Sequence, residues 1–308
     1  MTERVAILGS FVADLAFRAR RLPAVGETLE GTGFKMGPGG KGSNQAVAAA
    51  RLGGRVTMIS KLGRDEFGKL ALDTWAKENI AAAVGQDDSA PTGAAFIYVD
   101  DRTGDNAIIV VPGAAGTISV ADVDAAAEHI TGADVFVTQL EQPIAAARRG
   151  LEIARAAGVV TVFNPAPAPA APLDRGLYPL CDYITPNETE AGQLTGIDVR
   201  TVDDAGRAAD ILLGFGARSA VITLGEKGAL LCTSTERLLV PAFSAGPVVE
   251  TTGAGDAFNG GLAVALSRGW PPADAVRYAC AVAAISVTRP GTAPSMPTGV
   301  DVDRLLKA

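Results

Sequence analysis

The chain holds little that would serve several common chemistries. It has a single histidine, His129, so a Ser-His-Asp triad or a histidine-rich metal site has too few donors to draw on. Its three cysteines, Cys181, Cys232 and Cys280, are far apart, odd in number and match no metal spacing. That is the usage of a chain kept reduced in the cytosol. Basic charge is scarce as well: 27 Lys and Arg stand against 34 Asp and Glu, for a formal net charge of -7. The densest basic stretch, Arg18, Arg20 and Arg21, is short, which argues against a nucleic-acid partner. An acidic total does not exclude a nucleotide, whose phosphates can be held by backbone amides. No uninterrupted apolar run is long enough to cross a bilayer. The start passes from Met1 directly into the strand-like Val5–Leu8 without an apolar signal core. The expectation is a soluble, cytoplasmic protein with no membrane partner.

What is present is a large apolar fraction, 48% of 308 residues, enough to bury a core without disulfides or metals. Short apolar runs at Val5–Leu8, Val56–Ser60, Val135–Thr138, Val159–Phe163, Tyr183–Thr185, Ala220–Leu224 and Ala229–Cys232 predict strands. Helical patterns fall at Ser43–Leu52, Phe67–Glu78, Ala121–Ile130, Ile144–Ala157, Glu188–Leu194, Asp203–Phe215, Ala257–Ser267 and Ala273–Thr288. This alternation predicts a parallel-rich α/β sheet covered on both faces, with ligands beyond the carboxyl ends of the strands. Two stretches break the rhythm: Glu30–Met36, and the pair Ala94–Val99 and Ala107–Val111 joined by a polar turn. The second reads as a hairpin, in a small separate sheet over the site or as an edge extension of the main one. The proline-rich Asn164–Pro172 is either a linker or a rigid loop leaving a strand end.

Five motifs carry chemistry. In Glu250-Thr-Thr-Gly-Ala-Gly-Asp256, three small residues lead into a helix. Amides of Gly253, Ala254 and Gly255 can approach an anion there, with Asp256 beside it as a proton acceptor; the alternative is plain helix capping. Gly37-Pro-Gly-Gly-Lys-Gly-Ser-Asn44 holds a close-approach loop with Lys41 and Asn44 as donors, or a glycine-rich turn capped by Ser43. Its formal G-x-G-x-x-G admits a dinucleotide-dependent oxidoreductase, although the fingerprint belongs after the first strand of a βαβ unit. Thr185-Pro-Asn-Glu-Thr-Glu190 offers Asn187 to phosphates and Glu190 to metal-bound water, or else a helix cap. Thr223-Leu-Gly-Glu-Lys-Gly228 is a nucleotide edge or a hairpin turn, and Asp14 and Glu141 each follow a strand end.

In this order, together with Gln139-Leu-Glu-Gln-Pro143 and Asn164-Pro-Ala-Pro-Ala168, the motifs resemble the ribokinase-like (PfkB) carbohydrate kinase family over almost the whole chain. The resemblance implies a Rossmann-like α/β fold in a single domain over residues 1–308. It also implies a β-sheet lid from segments about 11–36 and 93–112 that pairs with a second copy in a homodimer. It implies transfer of the γ-phosphoryl of ATP to a sugar, ribose at its 5-hydroxyl or another sugar or nucleoside, with Mg²⁺ and a monovalent cation, K⁺. Asp256 matches the base and Gly253, Ala254 and Gly255 the anion hole. Asp14, Gly40, Lys41, Asn44 and Glu141 match sugar-holding positions. Asn187, Glu190, Thr223, Leu224, Gly225, Glu226, Lys227, Gly228, Gly255 and Cys280 match the nucleotide side. Glu250, Thr252, Ser286, Arg289, Gly291 and Ser295 match the cation site. Two residues depart from the pattern: Val12 stands where the family's sugar-binding turn has Asn, and Glu250 where it has Asp. A non-catalytic sugar sensor on the same scaffold is the remaining alternative of another class.

Overall fold

A computed structural model describes residues 3–169 and 171–307. Met1, Thr2, Ala170 and Ala308 lie outside it, and with them the ends of the expected domain and one alanine of the proline-rich segment. In chain order, β1 (Arg4–Leu8) leads into β2 (Val12–Ala19) and β3 (Gly33–Gly39), followed by α1 (Lys41–Arg51). Next come β4 (Arg55–Gly63), α2 (Glu66–Lys77), β5 (Ala81–Asp87), β6 (Thr92–Asp100) and β7 (Asn106–Gly113). Then follow α3 (Val120–Ala125), α4 (Ala127–Thr131), β8 (Val135–Thr138), α5 (Ile144–Ala156), β9 (Val160–Phe163) and β10 (Tyr183–Ile184). The chain closes with α6 (Glu188–Thr195), α7 (Val202–Gly214), β11 (Ser219–Thr223), β12 (Ala229–Thr233), β13 (Arg237–Val240), α8 (Ala254–Ser267), α9 (Pro272–Ser286) and α10 (Gly299–Lys307).

Nine strands form the main sheet in the order β13-β12-β11-β10-β9-β8-β1-β4-β5. From β11 to β5 all neighbours are parallel; only β12 is reversed, pairing antiparallel with β11 and with β13. Strand alternation divides the core between the two faces. Val5 and Ile7 of β1 pack with α1, α2, α8, α9 and α10, whereas Ala6 and Leu8 pack with α3 to α7. The largest fully buried side chain, Trp75, anchors α2 on the first face, and its indole N–H donates to the Ser43 hydroxyl at 3.0 Å. That bond gives Ser43 a core role. The cap of α1 is Gly40, three residues before the predicted helix start at Ser43.

Other helix starts follow their side chains. Asp65 caps α2, and Ser119–Asp122, Asn187–Glu190 and Thr201–Asp204 form reciprocal capping boxes. The predicted helix Ala121–Ile130 is two short helices that meet at Ala126. The structure adds β2, β5, β13 and α10 to the predicted elements. The sequence of β5, Ala-Ala-Ala-Val-Gly-Gln-Asp, has almost no β-forming side chains, and it is a strand because β4 offers it a parallel edge. Among the described residues no helix is long and apolar enough to cross a membrane.

A second, four-stranded sheet has the order β3-β2-β6-β7. The hairpin reading of β6 and β7 describes an antiparallel pair within it, and β2 runs parallel to β6. Opposed residues share a face. Phe17, Phe34, Met36, Phe96, Ile109 and Val111 lie on one side; Val12, Asp14, Ala95 and Val110 lie on the other. Within β6, Phe96 is exposed and Tyr98 is buried, its hydroxyl donating to Asp100 at 3.1 Å.

Candidate active site

Because β1, β8, β9, β10 and β11 are parallel, their carboxyl ends deliver Ser10, Glu141, Asn164, Asn187 and the Thr223–Gly228 turn to one edge of the sheet. The starts of α1 and α8 face the same edge. Gly40 makes the first possible. It has φ +86°, and a Cβ there would fall 2.7 Å from the Val12 backbone nitrogen, so only glycine lets the loop pass β2 this closely.

Asp256 sits in the first turn of α8 and is 6% exposed. Its Oδ2 accepts from Asn44 Nδ2 at 3.0 Å and its Oδ1 from Gln45 Nε2 at 3.1 Å. Burial raises its pKa above the ordinary carboxylate value. The Lys41 ammonium and the two amide donors pull it back, and Glu141 adds to the rise. Lys41 is the converse case: burial lowers it, but Asp256, Glu141 and Glu190 together carry it above its ordinary value, so the ammonium stays charged. Of the anion-hole candidates, the Ala254 amide donates to the Thr251 carbonyl at 3.2 Å. Gly255 is exposed, and a Cβ there would meet no atom within 4 Å.

Glu141 accepts from the Lys41 backbone amide at 2.8 Å and from the Ser10 hydroxyl. Asp14 accepts from Thr292 Oγ1 at 3.1 Å, and Thr292 also reaches the Pro38 carbonyl. Burial pushes Asp14 up to about 6; the Thr292 hydrogen bond opposes this, and Glu141, Asp256 and Glu250 contribute to it. The predicted Asp14, Gly40, Lys41, Asn44 and Glu141 are thus gathered around Asp256.

On the other flank, the residues read as phosphate- or metal-facing form a helix cap. Asn187 Oδ1 accepts from the Glu190 amide at 2.8 Å and Glu190 Oε2 from the Asn187 amide at 2.9 Å, which fixes both side chains at the strand end. Glu190 is raised by burial, with Lys41 and Asp256 both close enough to act on it. Thr223 bridges to Asn187, and the turn beyond it exposes Gly225, Glu226 and Lys227 while burying Leu224 and Gly228. Cys280, in α9, is buried in the same apolar cluster as Ala229 and Leu231, and burial lifts its thiol to about 12.

The C-terminal loop closes the site. Glu250 Oε2 accepts from the Gly291 amide at 2.8 Å, and a Cβ on Gly253 would come within 3.4 Å of Thr292. Ser295 donates to the Thr292 carbonyl, Ser286 donates to Ala283 inside α9, the Arg289 side chain turns to Asp301, and Thr252 is exposed. Among the described residues no three His, Cys, Asp or Glu cluster as a metal site. The side-chain oxygens of Glu250, Thr252, Ser286 and Ser295 are one carboxylate and three hydroxyls.

Sequence reasoning missed Ser10, Gln45, Asn164 and Thr292 as parts of the site. It also missed Ala95 and Val110, which strand pairing sets abreast of Asp14. The G-x-G-x-x-G reading is corrected: Gly37 and Gly39 lie inside β3, antiparallel to β2 in the small sheet, so no βαβ turn forms there.

Comparison with known proteins identifies the family. The model of the pfkB family carbohydrate kinases matches residues 2–299. A ribokinase of Haemophilus influenzae is 38% identical over 97% of this chain and 96% of its own. A deoxyribokinase of Salmonella typhi is 38% identical over 96% of this chain and 95% of its own. Among solved structures, Arabidopsis thaliana ribokinase complexed with ribose and ATP superposes with a TM-score of 0.93 at 30% identity, covering 100% of both chains. The chain belongs to the pfkB family of carbohydrate kinases and is an ATP-dependent phosphotransferase of that family.

Proposed function

We propose that the chain transfers the γ-phosphoryl group of ATP to the 5-hydroxyl of D-ribose, with Asp256 accepting the hydroxyl proton. The observation that carries this reading is the buried Asp256 carboxylate, flanked by two helix starts and the charged Lys41, with Asp14 and Glu141 alongside. Asp14 and Glu141 hold sugar hydroxyls as acceptors. Lys41 and the amides of Gly253 and Gly255 stabilise negative charge as it moves onto the leaving phosphate. Asn187 and the Thr223–Gly228 turn hold the nucleotide beside Cys280. Burial of the carboxylate keeps water, the competing acceptor, away.

Magnesium, when bound with the nucleotide, supplies neutralisation of the phosphate charge. The carboxylate of Glu190, whose second oxygen is free of the cap, would hold its water. The Glu250 loop, with Thr252, Ser286, Arg289, Gly291 and Ser295, suits a monovalent cation better than a divalent one, because it offers a single carboxylate. A cation there would steady Thr292, and with it Asp14 and the start of α8.

A second acceptor, 2-deoxyribose, is favoured by Val12. It lies two residues before Asp14 on the same face of β2 and offers no hydrogen bond where a hydroxyl would need one. The deciding assay is ADP release over a panel of sugars and nucleosides, with and without potassium. The expected result is turnover of ribose that potassium increases. Val12→Asn should raise the preference for ribose over 2-deoxyribose by about 10-fold, the scale of one gained hydrogen bond. Turnover confined to hexoses or nucleosides would contradict the pentose assignment.

The small sheet is read as a lid that closes over the sugar. Its outer face exposes Phe34, Met36, Ile109 and Val111 at 49–65%. Apolar surface of this kind fits the same face of a second copy. Sedimentation should show a dimer, and Ile109→Asp should give a folded monomer; a monomeric wild type at micromolar concentration would refute the pairing.

A further inference from the structure

We infer that Gln45 is a positioning residue for Asp256: a chain of hydrogen bonds anchored on the Thr185 carbonyl fixes the polarity of its amide, which then holds Oδ1 and leaves Oδ2 to take the proton. This rests on the reading of Asp256 as the base.

The polarity follows from one group that can only accept. The Thr185 carbonyl takes a hydrogen bond from Asn164 Nδ2 at 2.9 Å, so Asn164 must present its oxygen to Gln45. Gln45 Nε2 donates to that oxygen at 3.2 Å and spends its second hydrogen on Asp256 Oδ1 at 3.1 Å. Its own Oε1 accepts from Gln139 Nε2 at 2.7 Å. Both hydrogens of the Gln45 amide are therefore committed, and turning it over would break three bonds and set its oxygen against the oxygens of Asn164 and Asp256. All of these side chains are buried.

Asn44, the partner of Oδ2, is different. Its Nδ2 donates to Asp256 at 3.0 Å, but its own Oδ1 is buried with no hydrogen-bond partner. Asn44 can turn and accept a new O–H on Oδ2; Gln45 cannot do the same for Oδ1. The two oxygens of one carboxylate thus have unequal fates on protonation. A second arm fixes the helix itself: the Thr185 hydroxyl donates to Asn259 Oδ1 at 2.7 Å, and Asn259 Nδ2 donates to the Gly255 carbonyl at 2.8 Å. The reach of Gln45 depends on Gly260 of α8, where a Cβ would fall 2.6 Å from Ala48 Cβ and 2.8 Å from the Gln45 carbonyl.

The charged groups facing Asp256 are Lys41 from α1, Glu141 from the loop after β8, Glu190 from α6 and Asp14 from β2. Gln45→Met leaves all four in place and removes only the amide. The expected result is a kcat lower by about 10-fold or more, with KM for sugar and ATP near wild type. The acid limb of the kcat–pH profile should move up by about one unit, because a donor to the charged form is lost. Asn164→Ala, which unlocks the Gln45 amide, should move the limb in the same direction by less, and serves if Gln45→Met does not fold. A limb and kcat at wild-type values in either folded variant, with Asp256→Asn inactive, would overturn the positioning role alone. An active Asp256→Asn would instead remove the base reading on which it rests.

Discussion

Asp256→Asn is expected to lower kcat by about 10²–10⁴-fold while sugar and ATP binding stay within a few-fold of wild type. The substitution removes the proton acceptor and keeps the shape. The new side chain can direct its oxygen to Gln45, whose amide only donates there, and its nitrogen to Asn44, whose buried oxygen is free to accept. No packing is lost, and a carboxylate held above its ordinary pKa by burial is replaced by a neutral amide. Thermal stability at neutral pH should be equal to or above wild type. Rapid steady-state kinetics together with calorimetric titration of sugar separates the two effects. Weakened binding with unchanged kcat would place Asp256 among the sugar ligands instead.

Asp14→Asn should do the reverse. It is expected to raise the KM for sugar by about 10–10²-fold, the scale of a lost charge-assisted hydrogen bond, with a smaller effect on kcat. It should also stabilise the fold near pH 7. Asp14 is raised from 3.8 to about 6 by burial against the nearby carboxylates. Between these values the folded chain binds more protons at this site than the unfolded chain does, so this contribution to stability is complete below pH ~4 and is lost as pH rises through ~6. Discounted for partial exposure, the cost at neutral pH is about 1–2 kcal/mol. Melting curves of wild type and variant should nearly coincide at pH 4.5 and separate at pH 7.5, with the variant higher. Protonation also removes Asp14 as an acceptor, so wild-type sugar affinity, read by direct binding, should weaken below pH 6. Coincident melting temperatures at both pH values would contradict the account of Asp14.

The sequence carried the main sheet well where strands are buried on both faces. Val135–Thr138 and Ala229–Cys232 are continuous apolar runs because helices cover them above and below. It carried β5 poorly, since an alanine-rich edge strand has no pattern of its own, and α10 poorly, since a short helix held by Val302, Leu305 and Leu306 follows a proline. The motif residues were visible because glycines and carboxylates cluster at strand and helix ends. Gln45, Asn164 and Thr292 were not, because their significance lies in partners far along the chain. Gln45 meets Asp256 across 211 positions, and Thr292 meets Asp14 across 278. Such pairs depend on the packing of α1 against α8 and on a C-terminal loop folding back over β2.

The most direct test of the central claim follows the products by phosphorus NMR, with ATP, magnesium and D-ribose incubated with wild type and with Asp256→Asn. The account predicts ribose 5-phosphate and ADP in equal amounts from wild type and neither from the variant on the same time scale. ADP accompanied by inorganic phosphate alone, or equal sugar phosphate from both proteins, would contradict it.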